Sequence, residues 1–139
     1  FLPDLARRHP NLSVVIDHAA KPAIAAHGLQ PDLFRQWADR IARLAAETAW
    51  CCKLSGLATE AAPGWSADDL RPYVEHLLTC FGPERLLWGS DWPVVDLAGG
   101  YAAWRAATLA LLPAAALDAV LGGSACRFYG VGNGVSERK

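Results

Sequence analysis

The chain has 139 residues, of which 53% are apolar and 19% are charged, and its formal net charge is −1. This composition excludes a disordered chain, which would carry fewer apolar residues and a larger net charge. It also argues against a nucleic-acid-binding protein, because no basic excess is present to meet phosphates. No run of about 18 apolar residues occurs, so no transmembrane span is expected.

Methionine and cysteine usage indicate the context of the chain. The sequence contains no methionine, so we expect a processed chain or a piece of a longer protein. Its four cysteines show neither a C-x-x-C pair nor the spacing of a zinc site. A chain of this size and apolar content can form a core without disulfide bonds. We therefore expect four reduced thiols that pack as small apolar residues, and a cytoplasmic protein.

Strand-like and helix-like segments alternate along the chain. Short β-branched or apolar runs predict strands, and apolar residues at spacings of three and four predict helices. Ser66, with Asp69 three residues later, and Ser124, after two glycines, have the character of helix N-caps. The strands are predicted at 12–17, 49–54 and 85–89, a loop at 55–66, and helices from Asp32 onward, at 66–81, 101–112, 114–121 and 124–129.

This alternation predicts an α/β fold with parallel strands joined by helical crossovers. The predicted strand ends lie roughly 35 to 40 residues apart, close to the roughly 31 residues per unit of a (β/α)8 barrel. The chain therefore fits three units of a TIM barrel and contains too few strands for a complete one. A small doubly wound sheet is the structural alternative.

Each predicted strand ends in polar residues, where parallel α/β folds place their sites. His18 follows Ile16 by two, so strand alternation predicts both on one face, inside the barrel if Ile16 points there. A histidine there can ligate a metal, polarise a carbonyl or move a proton, or it can be a hydrogen-bonded core residue. Asp91 can serve a metal, a cation or a reacting water, or it can cap the backbone of its loop.

Four cationic or aromatic groups share this edge in the prediction. Lys53 can pair with a substrate carboxylate or with Asp91, or it can be a rim residue whose stem packs and whose ammonium reaches water. Lys21, His27 and Trp92 are predicted to line a pocket beside it. His9 precedes a strand and His76 lies on a helix, so neither is expected in the site.

Four blocks of sequence together resemble the C-terminal half of the amidohydrolase-related family, and most closely its branch of sugar-lactone and dicarboxylate-lactone hydrolases. The Gly-Ser-Asp-Trp-Pro sequence in the third block is the most specific element. The blocks are I-D-H-A-A-K-P at 16–22, C-K-L-S-G-L at 52–57, F-G-P-E-R-L-L-W-G-S-D-W-P at 81–93 and G-G-S-A-C-R-F-Y-G at 122–130.

The resemblance implies that 1–131 is part of a TIM barrel, with strands six, seven and eight, followed by a polar tail at 132–139. It implies that Asp91 ligates a divalent metal, zinc above all, or activates the hydrolytic water directly where no metal is bound. His18 would contact the substrate carbonyl or assist proton transfer. Lys21, Lys53 and Trp92 are the residues expected to bind a small-molecule substrate.

One departure from the family pattern is large. Family members carry a His-x-His pair on strand one, and this chain has none. The resemblance therefore implies a missing N-terminal half of the barrel as partner. Three strands alone would expose two sheet edges, so the isolated chain is expected to aggregate, to associate or to fold only in part. A homo-oligomer is a further option that the sequence leaves open.

Three hypotheses of function follow. The first is a hydrolase that opens a lactone by attack of water on the ester carbonyl. The present chain would be a fragment of that enzyme and inactive by itself. The second is a non-catalytic half-barrel that associates through its open sheet edges. The third is a small doubly wound ligand-binding domain, which would need a phosphate-binding loop after its first strand. No glycine lies between Asp17 and Pro22 to form one.

Overall fold

Three short parallel strands form the centre of the computed structural model, which describes residues 2–26 and 30–131. They are β1 (Val15–Ile16), β2 (Cys51–Leu54) and β3 (Leu86–Trp88), in the order β1-β2-β3. The predicted α/β class with a parallel sheet is thus confirmed. His27 and the tail at 132–139 lie outside the described residues.

The strands are shorter than predicted, and β1 most of all. Ile16 pairs with Cys52, and Leu54 with Trp88. The first strand ends after Ile16 because the backbone then enters a left-handed turn, so the predicted strand at 12–17 is wrong at both ends. Ile16 packs against the core that the helices cover. His18 lies beyond the end of the strand, in the left-handed turn, so strand alternation does not determine where its side chain points.

Six α-helices accompany the sheet within the described residues. Two of them, α1 and α3, are absent from the sequence prediction, which had a loop where α3 lies. The helix expected at 114–121 is instead a 3-10 turn, Ala114–Ala116, and a π turn, Ala119–Gly123. The helices are α1 (Leu2–Arg8), α2 (Pro31–Glu47), α3 (Leu57–Glu60), α4 (Ala67–Phe81), α5 (Gly100–Leu111) and α6 (Ser124–Tyr129).

One predicted N-cap is present and one is not. The backbone N–H of Ser66 donates to Asp69 Oδ2 at 2.7 Å, which closes the capping box of α4 and lowers the pKa of that carboxyl. Ser124 is no cap, because its own backbone is helical and continues the preceding π turn. Its buried hydroxyl donates instead to the carbonyl oxygen of Pro83 at 2.8 Å.

The core lies between the sheet and its helices. Helix α4 packs against β2, β3, α2 and α5. Its inward side chains are Leu70, Tyr73, Val74, Leu77 and Phe81. Cys52 and Leu54 of β2 and Leu86 of β3 are 0% exposed on the same side. The burial of these apolar groups is the main favourable contribution to the fold.

No single described helix is long and apolar enough to cross a membrane; α5 and the segment Ala114–Tyr129 meet that test only together, across a bend of 117°.

Arg85 ties the far end of the sheet to two helices. Its guanidinium stands over the ring of Phe81, 5.2 Å from the centroid. Its nitrogens donate to backbone carbonyls at the C-terminal ends of α2 and α4 and in the segment between α2 and β2. The carbonyls at a helix end have no partner inside the helix. The acceptors are the carbonyl oxygens of Ala45, Thr48, Trp50, Cys80 and Phe81.

We expect Arg85→Met to lower the free energy of unfolding by about 3 kcal/mol, because several half-buried carbonyls lose their donors. Urea unfolding followed by tryptophan fluorescence measures this change. Arg71→Met is the matched control, since Arg71 is exposed and pairs with Asp68 on its own helix. That variant should lose no more than about 0.5 kcal/mol, and equal losses in the two variants would contradict the role of Arg85.

Candidate functional site

The carboxyl ends of the three strands bring one residue each to the same edge of the sheet. His18 follows β1, Ser55 follows β2 and Asp91 follows β3 after two intervening residues. Nε2 of His18 lies 3.6 Å from Oδ1 of Asp91. Two residues predicted as catalytic from sequence thus lie side by side, although 72 positions separate them in the chain.

His18 is carried by a left-handed turn. The φ angles of His18, Ala19, Ala20 and Lys21 are 47°, 50°, 57° and 52°. Non-glycine residues lose roughly 1–2 kcal/mol each in this conformation, so the surrounding structure must hold it. The indole N–H of Trp37 on α2 donates to the carbonyl oxygen of Ala19 at 2.8 Å, and Ala19 is fully buried. The turn, rather than strand alternation, directs the imidazole to the sheet edge.

Both nitrogens of His18 have polar neighbours. Nδ1 lies 2.9 Å from the hydroxyl oxygen of Ser55, and Nε2 lies 3.3 Å from Oδ2 of Asp17. With Asp91 also on the Nε2 side, a proton on Nε2 faces two carboxylates and is favoured there. The side chain is 28% exposed, so the imidazole can reach a molecule bound at the edge.

Asp91 is the less exposed of the two. Its side chain is 12% exposed, and Oδ2 lies 3.3 Å from Oγ1 of Thr59. The same hydroxyl lies 2.8 Å from the carbonyl oxygen of Gly56, so it can donate its proton to one of the two acceptors. The N–H of Val95 donates to the backbone oxygen of Asp91, and the carboxylate faces His18 and Thr59.

The two predicted substrate-binding lysines pair with carboxylates. Nζ of Lys53 lies 3.1 Å from Oδ1 of Asp17, and Nζ of Lys21 lies 2.6 Å from Oε1 of Glu60. The hydrogen bond to Asp17 raises the pKa of Lys53, and the hydrogen bond to Glu60 raises the pKa of Lys21. Lys53 therefore pairs with Asp17 and not with Asp91, which the sequence analysis suggested as one of its partners.

Trp92 and an open cavity adjoin this cluster. Trp92 is 69% exposed beside Asp91 in the chain. A cavity of about 880 Å³ extends from Lys21, Thr59 and Glu60 toward α5 and Leu97. Thr59, which contacts Asp91, lines the end of the cavity nearest to that carboxylate. The volume of the cavity suits a small organic molecule.

Sequence reasoning missed four polar members of the cluster. Asp17 and Ser55 stand at strand ends, and that position was a usable signal for both. Thr59 and Glu60 lie on α3, which was predicted as loop, so no periodicity pointed to them. His76, set aside from sequence, packs away from the edge with Nε2 2.9 Å from the carbonyl oxygen of Ala38.

The described residues contain no group of three or more His, Cys, Asp or Glu side chains that could hold a metal ion. Asp91 and His18 do offer an oxygen and a nitrogen 3.6 Å apart. Ligands of one tetrahedral zinc ion, bonded at about 2.0–2.2 Å, lie at a similar separation. The pair fits two of the positions of such an ion.

The cysteines lie away from this chemistry. All four are free thiols. Burial raises the pKa of the Cys52 thiol to about 12 and also raises the pKa values of Cys51 and Cys80. A thiol with a raised pKa carries little thiolate and is a weak nucleophile. Cys126 is exposed, contrary to the expectation that all four pack as apolar residues.

We expect a disulfide reagent such as Ellman's reagent at pH 8 to modify Cys126 first and Cys52 only on unfolding. The physical reason is access together with the small thiolate fraction of the buried thiol. The absorbance of the thiolate that the reagent releases measures the rate at which each cysteine is modified. Cys126→Ser should remove the fast phase and Cys52→Ser should leave it; persistence of the fast phase in Cys126→Ser would refute the assignment.

Comparison with known sequences gives consistent matches. The model of the amidohydrolase family matches residues 2–131. An L-fucono-1,5-lactonase of Burkholderia ambifaria is 45% identical over 131 residues, which cover 89% of this chain and 43% of that protein. A second L-fucono-1,5-lactonase, from Burkholderia multivorans, is 40% identical over 143 residues and covers 92% and 47%. The chain thus spans about half the length of the curated relatives it matches.

Comparison with solved structures agrees in fold. An amidohydrolase from Burkholderia multivorans with bound HEPES superposes with a TM-score of 0.83 at 38% identity, over 93% of this chain and 48% of the other. The same amidohydrolase with bound zinc gives a TM-score of 0.81 over the same shares. A Pseudomonas putida protein described as a candidate 2-pyrone-4,6-dicarboxylic acid hydrolase gives 0.67 at 26% identity, over 94% and 48%.

Proposed function

The chain belongs to the amidohydrolase family, a family of hydrolases, and we propose that it is the C-terminal half of an enzyme that opens a lactone ring by attack of water. The observation that carries the proposal is the poorly exposed Asp91 carboxylate beside Nε2 of His18 at the carboxyl edge of the parallel sheet. The two L-fucono-1,5-lactonases that are 45% and 40% identical to this chain support the same reaction.

In this proposal Asp91 accepts a proton from water as the water oxygen attacks the ester carbonyl carbon. The carbonyl oxygen gains negative charge, which a proton on Nε2 of His18 stabilises by hydrogen bonding. The bond between the carbonyl carbon and the ring oxygen then breaks. The ring oxygen takes up the proton held by Asp91, and an open-chain hydroxy acid leaves the site.

The three strands are assigned in this proposal to strands six, seven and eight of a TIM barrel. Their sequential parallel order is that of neighbouring barrel strands. This chain covers 48% of a structurally related amidohydrolase, so the uncovered part of such a protein is long enough to contain the remaining strands. The rest of the barrel is then the partner that pairs with the outer edges of β1 and β3. Homo-oligomerisation and a cytoplasmic location stay predictions.

The substrate class in this proposal is a sugar lactone. The names of the two L-fucono-1,5-lactonases support a six-membered ring that carries hydroxyl groups. Such a substrate needs hydrogen-bonding groups around an uncharged ring, and Lys21, Lys53 and Trp92 would supply donors and an apolar surface. The dicarboxylate lactone is the less favoured choice, since the protein that suggests it is 26% identical.

A zinc ion, where one is bound, would take Asp91 as a ligand, and the remaining ligands would come from other strands. The zinc in the Burkholderia multivorans structure supports this possibility. A bound zinc ion lowers the pKa of its water ligand to near neutrality. The proton acceptor and the hydrogen bond to the carbonyl oxygen remain the tasks of the protein side chains.

We expect Asp91→Asn in the complete enzyme to lower kcat on aldono-1,5-lactones by at least about 1000-fold, because the amide cannot accept the proton of water. The measurement is acid release in a pH-stat, corrected for spontaneous ring opening. Circular dichroism and the thermal midpoint should match the unchanged protein, since an amide fills the space of the carboxylate.

Asp96→Asn is the matched control, because Asp96 is exposed on the same loop and outside the cluster. It should retain full activity. Full activity in Asp91→Asn would refute the mechanism. Turnover of 2-pyrone-4,6-dicarboxylate in preference to aldono-1,5-lactones would refute the substrate class and leave the mechanism in place.

A further inference from the structure

The ring of His18 rests directly on the backbone of Gly56. A Cβ atom placed on Gly56 would lie 2.8 Å from both Cβ and Cγ of His18 and 2.9 Å from Nδ1. Real Cβ atoms do not approach so closely, so any side chain at 56 would displace the imidazole. Gly56 also has φ +68°, a conformation that glycine adopts at low cost. Both observations demand glycine at this position.

Ser55 holds the same ring from the Nδ1 side. Its hydroxyl lies 2.9 Å from Nδ1, and the residue is 1% exposed, so no water competes freely for that bond. Behind it, a Cβ placed on Gly89 would lie 3.3 Å from Cβ of Ser55. The serine therefore sits closely between the backbone of β3's end and the imidazole, with little space to change its position.

We propose that Ser55 and Gly56 are positioning residues that hold Nε2 of His18 beside Asp91. The expected changes in kcat rest on the proposed lactone hydrolysis. The position of the His18 ring can be measured without any substrate. Neither residue needs to touch the substrate. Ser55 restrains rotation of the ring through Nδ1, and Gly56 permits the ring to approach the strand end closely.

A serine hydroxyl suits this task for a chemical reason. It can donate its proton to Nδ1 or accept one from it, so the contact persists in either tautomer of the ring. Gly56 contributes a second link, because its carbonyl oxygen lies 2.8 Å from the hydroxyl of Thr59, which also reaches Asp91. One short segment after β2 thus contacts both residues of the proposed catalytic pair.

The first test compares two glycines in the complete enzyme. Gly56→Ala should lower kcat about 100-fold, the effect of a displacement of roughly 1 Å in a reacting group, and should leave KM within about twofold. Gly130→Ala is the matched control: its φ is +66°, and nothing lies within 4 Å of the added Cβ. It bears the same backbone strain and should keep kcat.

A double-mutant cycle asks whether the effect passes through His18. His18→Gly removes the ring and the Cβ that would meet the alanine. In that background Gly56→Ala should change the residual kcat by less than about twofold, because nothing remains to be displaced. An additional large loss in the double variant would overturn the positioning role of Gly56.

The second test compares two buried serines. Ser55→Ala should lower kcat about tenfold with KM unchanged, through loss of the restraint on ring rotation. Ser124→Ala is the matched control, since Ser124 is 2% exposed and its hydroxyl bonds to the carbonyl of Pro83 at the other end of the sheet. Equal kcat values for the two variants would overturn the role of Ser55.

A spectroscopic readout separates this inference from the proposed reaction. The ring ¹⁵N and ¹³C signals of His18, identified by their loss in His18→Gly, should shift in Ser55→Ala and Gly56→Ala and stay in place in both control variants. Unshifted signals overturn the positioning proposal even if lactones are hydrolysed. Shifted signals in a protein that hydrolyses no lactone overturn the proposed function and leave the positioning intact. If Gly56→Ala fails to fold, the Ser55 comparison decides.

Discussion

The site depends on the pairing of β2 with a parallel strand on each side. Parallel register places the carboxyl ends of β1, β2 and β3 at one edge, so His18, Ser55 and Asp91 meet although long helical connections separate them. The apolar contacts of α4 with the sheet hold this pairing, and Arg85 joins the helix ends at the opposite edge. The stabilising contacts of Arg85 thus lie at one end of the strands, and the proposed catalytic pair lies at the other.

Local strain at the reactive edge is balanced by hydrogen bonds from neighbouring residues. The left-handed turn after β1 and the left-handed backbone of Asp91 are both unfavourable for residues with a side chain. The indole of Trp37 holds the turn from α2, and the N–H of Val95 holds the carbonyl of Asp91. Strained backbone at a site is commonly retained because it directs side chains that a regular strand would turn elsewhere.

Much of this architecture was predictable because it depends on local patterns. Apolar spacing located α2, α4 and α5, and the Ser66–Asp69 spacing identified a capping box. Asp91 and His18 were predicted from their place after strands and from the resemblance of the surrounding blocks to a known family. Thr59, which contacts Asp91, and Glu60, which pairs with Lys21, were not predicted, since α3 is too short for periodicity and neither residue has a distinctive local pattern.

The sequence by itself determined the α/β class, the family and the residues that close each strand, because hydrophobic periodicity and motif spacing are properties of neighbouring residues. Only the tertiary structure decided that Ser55 faces Nδ1 of His18, that Lys53 pairs with Asp17 and that Gly56 supports an imidazole. These contacts join residues from different strands. Their geometry follows from strand register and from a left-handed turn that strand alternation does not describe.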